Sequence, residues 1–313
     1  MPKLLTVFVF LGLSACQPIL QNDEVKGRIM GTTYTIKTQD FEIDQQQIDQ
    51  RLNQINQIFS SWDQNSELSA LNRQPVGESS NISNEMAFVL KESMRVHEQT
   101  NGFFSPTMGS LIDAWGFGSV NVEQKPNQVA IKQALAKSSI DRLALNGSRF
   151  EKSVDIKINL SAIAKGYAVD EIAKILKDKS VKRFMVEVGG EIKTQGSWLI
   201  GIETPSGQAP VAVELVDESI ATSGNYRQFF VWQGDRYAHI LDPHTGLPVS
   251  SDLFSASVIH KSNMLADAYA TAMMAMGYAK AVKMAQELNL KTILVLNKCD
   301  DPCLSKNIIK IGL

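Results

Sequence analysis

One segment constrains this chain more than any other: Ile158 to Asp170, INLSAIAKGYAVD. It predicts a strand, a small-residue turn at Ser161-Ala162, and a helix from Ala162 to about Lys177. A turn of small residues leaves backbone N–H and C=O groups open to a ligand. A helix start attracts anions through its unpaired N–H groups and its dipole, and Lys165 adds a mobile positive charge. The combination suits a phosphate or diphosphate. It is also the pattern of an ordinary strand–helix connection with a surface lysine, so its meaning depends on what accompanies it.

A second helix carries the companion signal. Asp267 and Thr271 are four residues apart and share a helix face. Ala266, Ala268, Ala270 and Ala272 let another segment approach closely. A hard cation such as Mg²⁺ prefers oxygen ligands, and this pair plus a carbonyl from the Ala162 turn could supply them. The simpler alternative has Asp267 capping the helix and Thr271 packing. A third cluster is HILDPHTGLPV, from His239 to Val249. Pro243 and Gly246 set a turn that puts His239 and Asp242 at a strand end. Histidine can take a proton from a hydroxyl near neutral pH; hairpin architecture, with Asp242 supporting the turn, is the alternative. Phe103, Phe104 and Trp62 offer rings for stacking on a planar ligand, or core packing.

The N-terminal segment addresses location. Lys3 precedes the apolar run LLTVFVFLGL. That run is too short for a mature span, which needs about 20 apolar residues, and it fits a secretory signal. Leu13-Ser14-Ala15-Cys16 resembles a bacterial lipobox, in which the cysteine is lipidated and becomes the new N-terminus. The expected organisation is a signal peptide at 1–15, a lipidated polar tether at 16–24, and one domain at 25–313. Gln17 after the cysteine favours the outer membrane by the usual sorting pattern. Cys299 and Cys303, in CDDPC, favour a local disulfide over a metal site, because two thiols without a nearby histidine are too few for closed zinc coordination.

With 44% hydrophobic residues and 20% charged, the 313-residue chain can bury a sizeable core. The formal net charge of −2 and the lack of a basic stripe argue against nucleic acid. Periodicity predicts helices over 44–60 (Ile48, Leu52, Ile55, Phe59), from Ser83 as N-cap through Met94 and a core histidine at His97, over 262–276 and over 278–288. The segment Arg28–Ile36 is β-rich, and alternation predicts strands at Phe184–Val188 and Thr292–Leu296 and a hairpin of Phe229–Trp232 with Tyr237–Leu241. Hairpins mixed with helices indicate α+β rather than regular βαβ alternation.

Taken in order, MGTTYTIK, NGFFSPTMGSLIDAWGFG, NLSAIAKGYAVD, MVEVGGEIKTQG, SIATSGNYRQFF, HILDPHTGLPV and ADAYATAMMAMG resemble the ApbE family of bacterial FAD:protein FMN transferases. The resemblance implies an α+β fold with a T-fold-like core. It implies that FAD is split with Mg²⁺, AMP is released, and FMN is attached through a phosphoester to a threonine of an exported redox protein. Subunits of Na⁺-translocating NADH:quinone reductase or Rnf-type complexes are the family's usual acceptors, which places the protein on the periplasmic side of the inner membrane, against the hint from Gln17. By position in the motifs, Met30, Trp62, Phe103, Phe104, Ser105, Asn159, Lys165, Ile240 and Leu241 are expected to contact FAD. Ala162 through its carbonyl, Asp267 and Thr271 are expected to hold Mg²⁺. His239, alone or with Asp242 behind it, is the expected base. Ser105 and Asn159 stand where the family often has Asp, which removes two possible negative charges. An FAD pyrophosphatase releasing FMN and AMP, and a flavin-binding lipoprotein without activity, are the alternatives.

Overall fold

The computed structural model describes residues 22–313 apart from 121, 123, 206–208, 226–228, 251 and 298–307. Cys16, Cys299 and Cys303 lie outside the described residues. The strands are β1 (Asn22–Ile29), β2 (Thr32–Gln39), β3 (Ser79–Asn81), β4 (Leu143–Asn146), β5 (Arg149–Lys152), β6 (Phe184–Val188), β7 (Glu191–Gln195), β8 (Ser197–Ile202), β9 (Val211–Val216), β10 (Ser219–Gly224), β11 (Phe229–Trp232), β12 (Asp235–Ala238), β13 (Leu253–His260), β14 (Lys291–Leu296) and β15 (Ile308–Ile311). The helices are α1 (Gln45–Phe59), α2 (Glu67–Arg73), α3 (Asn84–Gln99), α4 (Gly109–Ala114), α5 (Gln128–Ala136), α6 (Ala164–Asp178), α7 (Asn263–Met276) and α8 (Tyr278–Glu287).

An antiparallel sheet of order β1-β2-β6-β7-β10-β13-β14-β15 forms the centre. Its central strands β10, β13 and β14 are apolar on both faces, because successive side chains point to opposite sides. Ala221, Val258 and Leu294 join the main core under α6 and α7. Their neighbours Ile220, Ile259 and Ile293 point the other way and pack with Ile200, Ile202, Val213 and Leu215 of the β8–β9 hairpin. The sheet is therefore sandwiched, helices on one side and a two-stranded layer on the other. This is the α+β class that the sequence indicates.

Local signals explain most element boundaries. Asp44 caps α1 by accepting from the Gln47 N–H, and Ile48, Leu52, Ile55 and Phe59 form its buried stripe. Ser83 caps α3 through the Met86 N–H, as expected. Three boundaries differ from the sequence reading. Helix α6 begins at Ala164 rather than Ala162, because Ile163, at φ −149° and ψ −27°, lies outside the helical region. The hairpin partner of β11 is Asp235–Ala238, not Tyr237–Leu241. Its two-residue turn is Gln233-Gly234, both at positive φ, and that fixes the register earlier. Asn22, Asp23 and Glu24 pair with β2 and belong to the sheet, where a tether to residue 24 was expected.

Helix α7 is buried nearly all round, and its alanines allow α6 to lie close. The contact is closest at Gly166, where an added Cβ would stand 2.4 Å from the Asn263 carbonyl oxygen. Asp170 of α6 also caps α7, accepting from the Asn263 and Met264 N–H groups at 3.0 Å each. Gly166→Ala is therefore expected to cost about 1–3 kcal/mol in chemical denaturation, the usual penalty of overpacking. A loss under about 0.5 kcal/mol, the ordinary scatter of a surface substitution, would show that the two helices can separate freely.

Candidate active site: a cleft over the α6–α7 contact

A cavity of about 1000 Å³ opens where the Met30-Gly31 turn, the starts of α6 and β7, and the 239–243 segment converge over α7. Met30, Trp62, Phe103, Phe104, Ser105, Asn159, Ala162, Lys165, His239, Ile240, Leu241, Asp267 and Thr271 all line it. The structure thus gathers residues that lie up to 241 positions apart in sequence, from Met30 to Thr271. Asp242 is the exception and does not line the cavity. Its carboxylate closes its own turn, accepting from the His244 N–H at 2.9 Å and the Thr245 hydroxyl at 3.1 Å.

Each wall has a local cause. Met30 and Gly31 form the two-residue loop between β1 and β2 and both have positive φ, 51° and 73°. A bulky residue there is strained, and such strain persists where the surroundings hold a side chain in place. Asn159 accepts from the Ser161 N–H at 3.0 Å and its hydroxyl at 2.6 Å, so an Asx turn shapes the approach to Ala162. The amide can do this as well as an aspartate. Upstream, the Asn72 side chain accepts from the Ile158 N–H at 2.7 Å and donates to its carbonyl at 2.9 Å. Buried Lys152 in turn donates to the Asn72 carbonyl at 2.7 Å. His97 is half-buried, and its Nδ1 pairs with the Phe104 carbonyl at 2.8 Å. Phe103 has the His244 ring centroid 4.5 Å from its own and the Lys280 ammonium over its ring at 4.6 Å. Trp62 stands at the rim, 66% exposed, and is available to cover a flat ligand.

The floor is polar and charged. Asp267 is 3% exposed and accepts from the Gly166 N–H at 3.2 Å. It caps α6 rather than its own helix. Thr271 pairs with the Ser223 hydroxyl at 3.0 Å. Lys165 reaches Glu191, the first residue of β7, which is 2% exposed. Burial pushes the Glu191 carboxyl up to about 7; the lysine charge opposes this and the Asp267 charge adds to it. Burial raises Asp267 as well, against the lysine and the Gly166 N–H. Among the described residues no three His, Cys, Asp or Glu side chains are grouped to hold a metal. A cation here would draw on a hydroxyl, a carbonyl and ligand oxygens besides the carboxylate.

Glu191 and Asn72 escaped the sequence reading. Glu191 had a signal: it opens the strand after the Gly189-Gly190 turn, so an acidic residue occupies an inward position of a buried strand. Asn72 had none, because its partner Ile158 is 86 residues away.

The fold and the cleft define a class: an α+β protein whose site suits an elongated ligand with an anionic centre and flat ends. Residues 30–294 match the model of the ApbE family, and the chain belongs to that family. It is 35% identical to the FAD:protein FMN transferase of Vibrio cholerae over 92% of this chain and 91% of that one. It is 33% identical to the enzyme of that name from Haemophilus influenzae, covering 94% and 92%. The solved flavin transferase ApbE from V. cholerae superposes with a TM-score of 0.84 at 33% identity, covering 93% of this chain and 96% of that one. The apo flavinyl transferase ApbE of Pseudomonas stutzeri does so with 0.84 at 29% identity, covering 93% and 94%.

The acidic floor makes stability depend on pH. Unfolded, Glu191 releases its proton near 4.5; folded, it holds it up to about 7. Its contribution is complete below 4.5 and is lost as pH rises through 7. Denaturation without divalent cations should show a loss of at most about 3–4 kcal/mol across that window, following the linkage of about 1.4 kcal/mol per unit. Glu191→Gln should flatten it. An unchanged slope in that variant would assign the dependence to other groups.

Proposed function

We propose that this chain is an FAD:protein FMN transferase, which cleaves FAD, releases AMP and joins FMN through a phosphoester to a threonine of another protein. The observation that carries this reading is the convergence of Lys165, Asp267 and Thr271 beneath one aromatic-rimmed cleft, in a chain whose relatives bear that activity in their names. Met30, Phe103, Phe104 and Trp62 bind the planar ends of FAD and exclude water from them. Lys165, at the start of α6, meets the diphosphate, where helix N–H groups and an ammonium both favour negative charge.

The site suits a divalent cation: a buried carboxylate at Asp267, a hydroxyl four residues on at Thr271, and the turn residue Ala162 line the same cavity. Asp267, Thr271 and the Ala162 carbonyl would hold Mg²⁺, which neutralises the diphosphate and eases departure of AMP. His239 takes the proton of the acceptor threonine hydroxyl. The threonine oxygen bonds to the phosphorus nearest riboflavin, the phosphoanhydride bond breaks, and AMP leaves with its electron pair. Asp242 serves by holding the turn after His239 rather than by relaying a proton.

Mass spectrometry of a threonine-bearing acceptor after incubation with FAD and Mg²⁺ tests the reading; the expected gain is FMN less water. Free FMN without acceptor modification would instead indicate a pyrophosphatase, and persistent FAD a binding protein. In the same assay His239→Ala should lower turnover about 10²–10⁴-fold, the usual worth of a general base, with FAD titration little changed. Wild-type turnover would remove the histidine from the chemistry.

The acceptor we propose is a subunit of a Na⁺-translocating NADH:quinone reductase or Rnf-type complex. This chain would be anchored through lipidated Cys16 on the periplasmic side of the inner membrane. Among the described residues no helix is long and apolar enough to cross a membrane. Cys16→Ser should move the protein out of the membrane fraction or leave it unprocessed. Wild-type protein found soluble in the cytoplasm would overturn the placement.

A further inference from the structure

The cleft contains a buried acid that the chemistry above leaves unused. Glu191 opens β7 behind the tight Gly189-Gly190 turn, whose two residues have φ of 63° and 103°. Positive φ at both positions suits glycine, and the turn aims the first side chain of β7 back into the cavity. One carboxylate oxygen of Glu191 accepts from Lys165. The other, Oε2, is buried with no hydrogen-bond partner. An unpaired buried carboxylate oxygen is costly, so its persistence calls for a partner that the site acquires.

The charges indicate what that partner is. Glu191 and Asp267 are both nearly inaccessible, at 2% and 3% exposure, and each feels the Lys165 charge. Once Glu191 is ionised, above about pH 7, Lys165 supplies one positive charge against two carboxylates. An entering diphosphate adds negative charge and competes for the same ammonium. A divalent cation and its waters would restore the balance and supply donors for the orphaned oxygen, since Mg²⁺ usually keeps several waters.

We infer that Glu191 is a further positioning residue of this site: one oxygen holds Lys165, and the other accepts from a water carried by the divalent cation at Asp267 and Thr271. This rests on the cation reading given above. It makes Glu191 a determinant of metal affinity without making it a direct ligand, as outer partners of metal sites commonly are.

The test is binding rather than turnover. Mn²⁺ affinity is measured by electron paramagnetic resonance in the presence of FAD, and FAD affinity by fluorescence without metal, on wild type, Glu191→Gln, Glu191→Asp and Asp267→Asn. Glu191→Gln keeps the shape and removes a buried charge, so the fold should melt no lower than wild type. It should weaken Mn²⁺ binding tenfold or more, the usual scale for an outer partner, while metal-free FAD binds as well or better. A purely structural role would move both affinities the same way. Glu191→Asp, which keeps the charge on a shorter arm, should fall between. Unchanged Mn²⁺ affinity in Glu191→Gln, with Mn²⁺ binding lost in Asp267→Asn, would overturn the inference and leave the cation site standing. Weaker metal-free FAD binding with unchanged Mn²⁺ affinity would assign Glu191 to Lys165 alone and also overturn it. Unchanged Mn²⁺ affinity in Asp267→Asn would remove the cation reading and this inference together.

Discussion

The close approach of α6 to α7 at Gly166 is the constraint on which the site depends. With no side chain at that position, the Asn263 backbone can lie against the first turn of α6. The same approach brings the Gly166 N–H to Asp267 and fixes where Lys165 leaves its helix. Asp170 ties the two helices a second time by capping α7 from one turn further along. A carboxylate buried inside a helix is ordinarily expensive. Here a backbone donor and a nearby ammonium offset part of that cost, and the remainder makes the floor receptive to positive charge.

Much of the design was legible in the sequence where local rules govern. The apolar stripe of α1 and the Ser83 cap need only neighbours within a few positions, and both appear as expected. The two small-residue segments around Gly166 and Ala266–Ala272 indicated close packing without indicating that they pack on each other. The family motifs located the cleft-lining residues, since motif order carries information that spacing does not. Legibility failed where tertiary contact decides. The start of α6 shifted because Ile163 is held outside the helical region. His239 to Leu241 left the hairpin because the Gln233-Gly234 turn set an earlier register. Asp242 was read as part of the chemistry, yet its lone pairs are used by His244 and Thr245.

The distribution of roles follows from the sheet. Strands β6, β7 and β10 deliver residues to the cleft at their ends and immediate turns, while the strand interiors are occupied with two cores. The sheet's share of the site therefore sits on strand ends and short turns, beside Lys165 of α6 and Asp267 and Thr271 of α7. Lys152 and Asn72 illustrate the anchoring: a buried ammonium fixes a carbonyl, and the amide beside it fixes the segment that turns at Ala162. Neither residue lines the cleft, and each limits how far the cleft can deform.

The β1–β2 hairpin also acts as a ruler. Its outer strand begins at Asn22 and runs eight residues to the Met30-Gly31 turn at the cavity. At about 3.4 Å per residue that is roughly 25 Å of stiff, paired backbone. Pairing with β2 along its whole length keeps the cleft end of this strand at a fixed interval from Asn22. That interval is set by eight paired residues, so the turn reaches the cavity wall as the end of a stiff rod and not as a free loop.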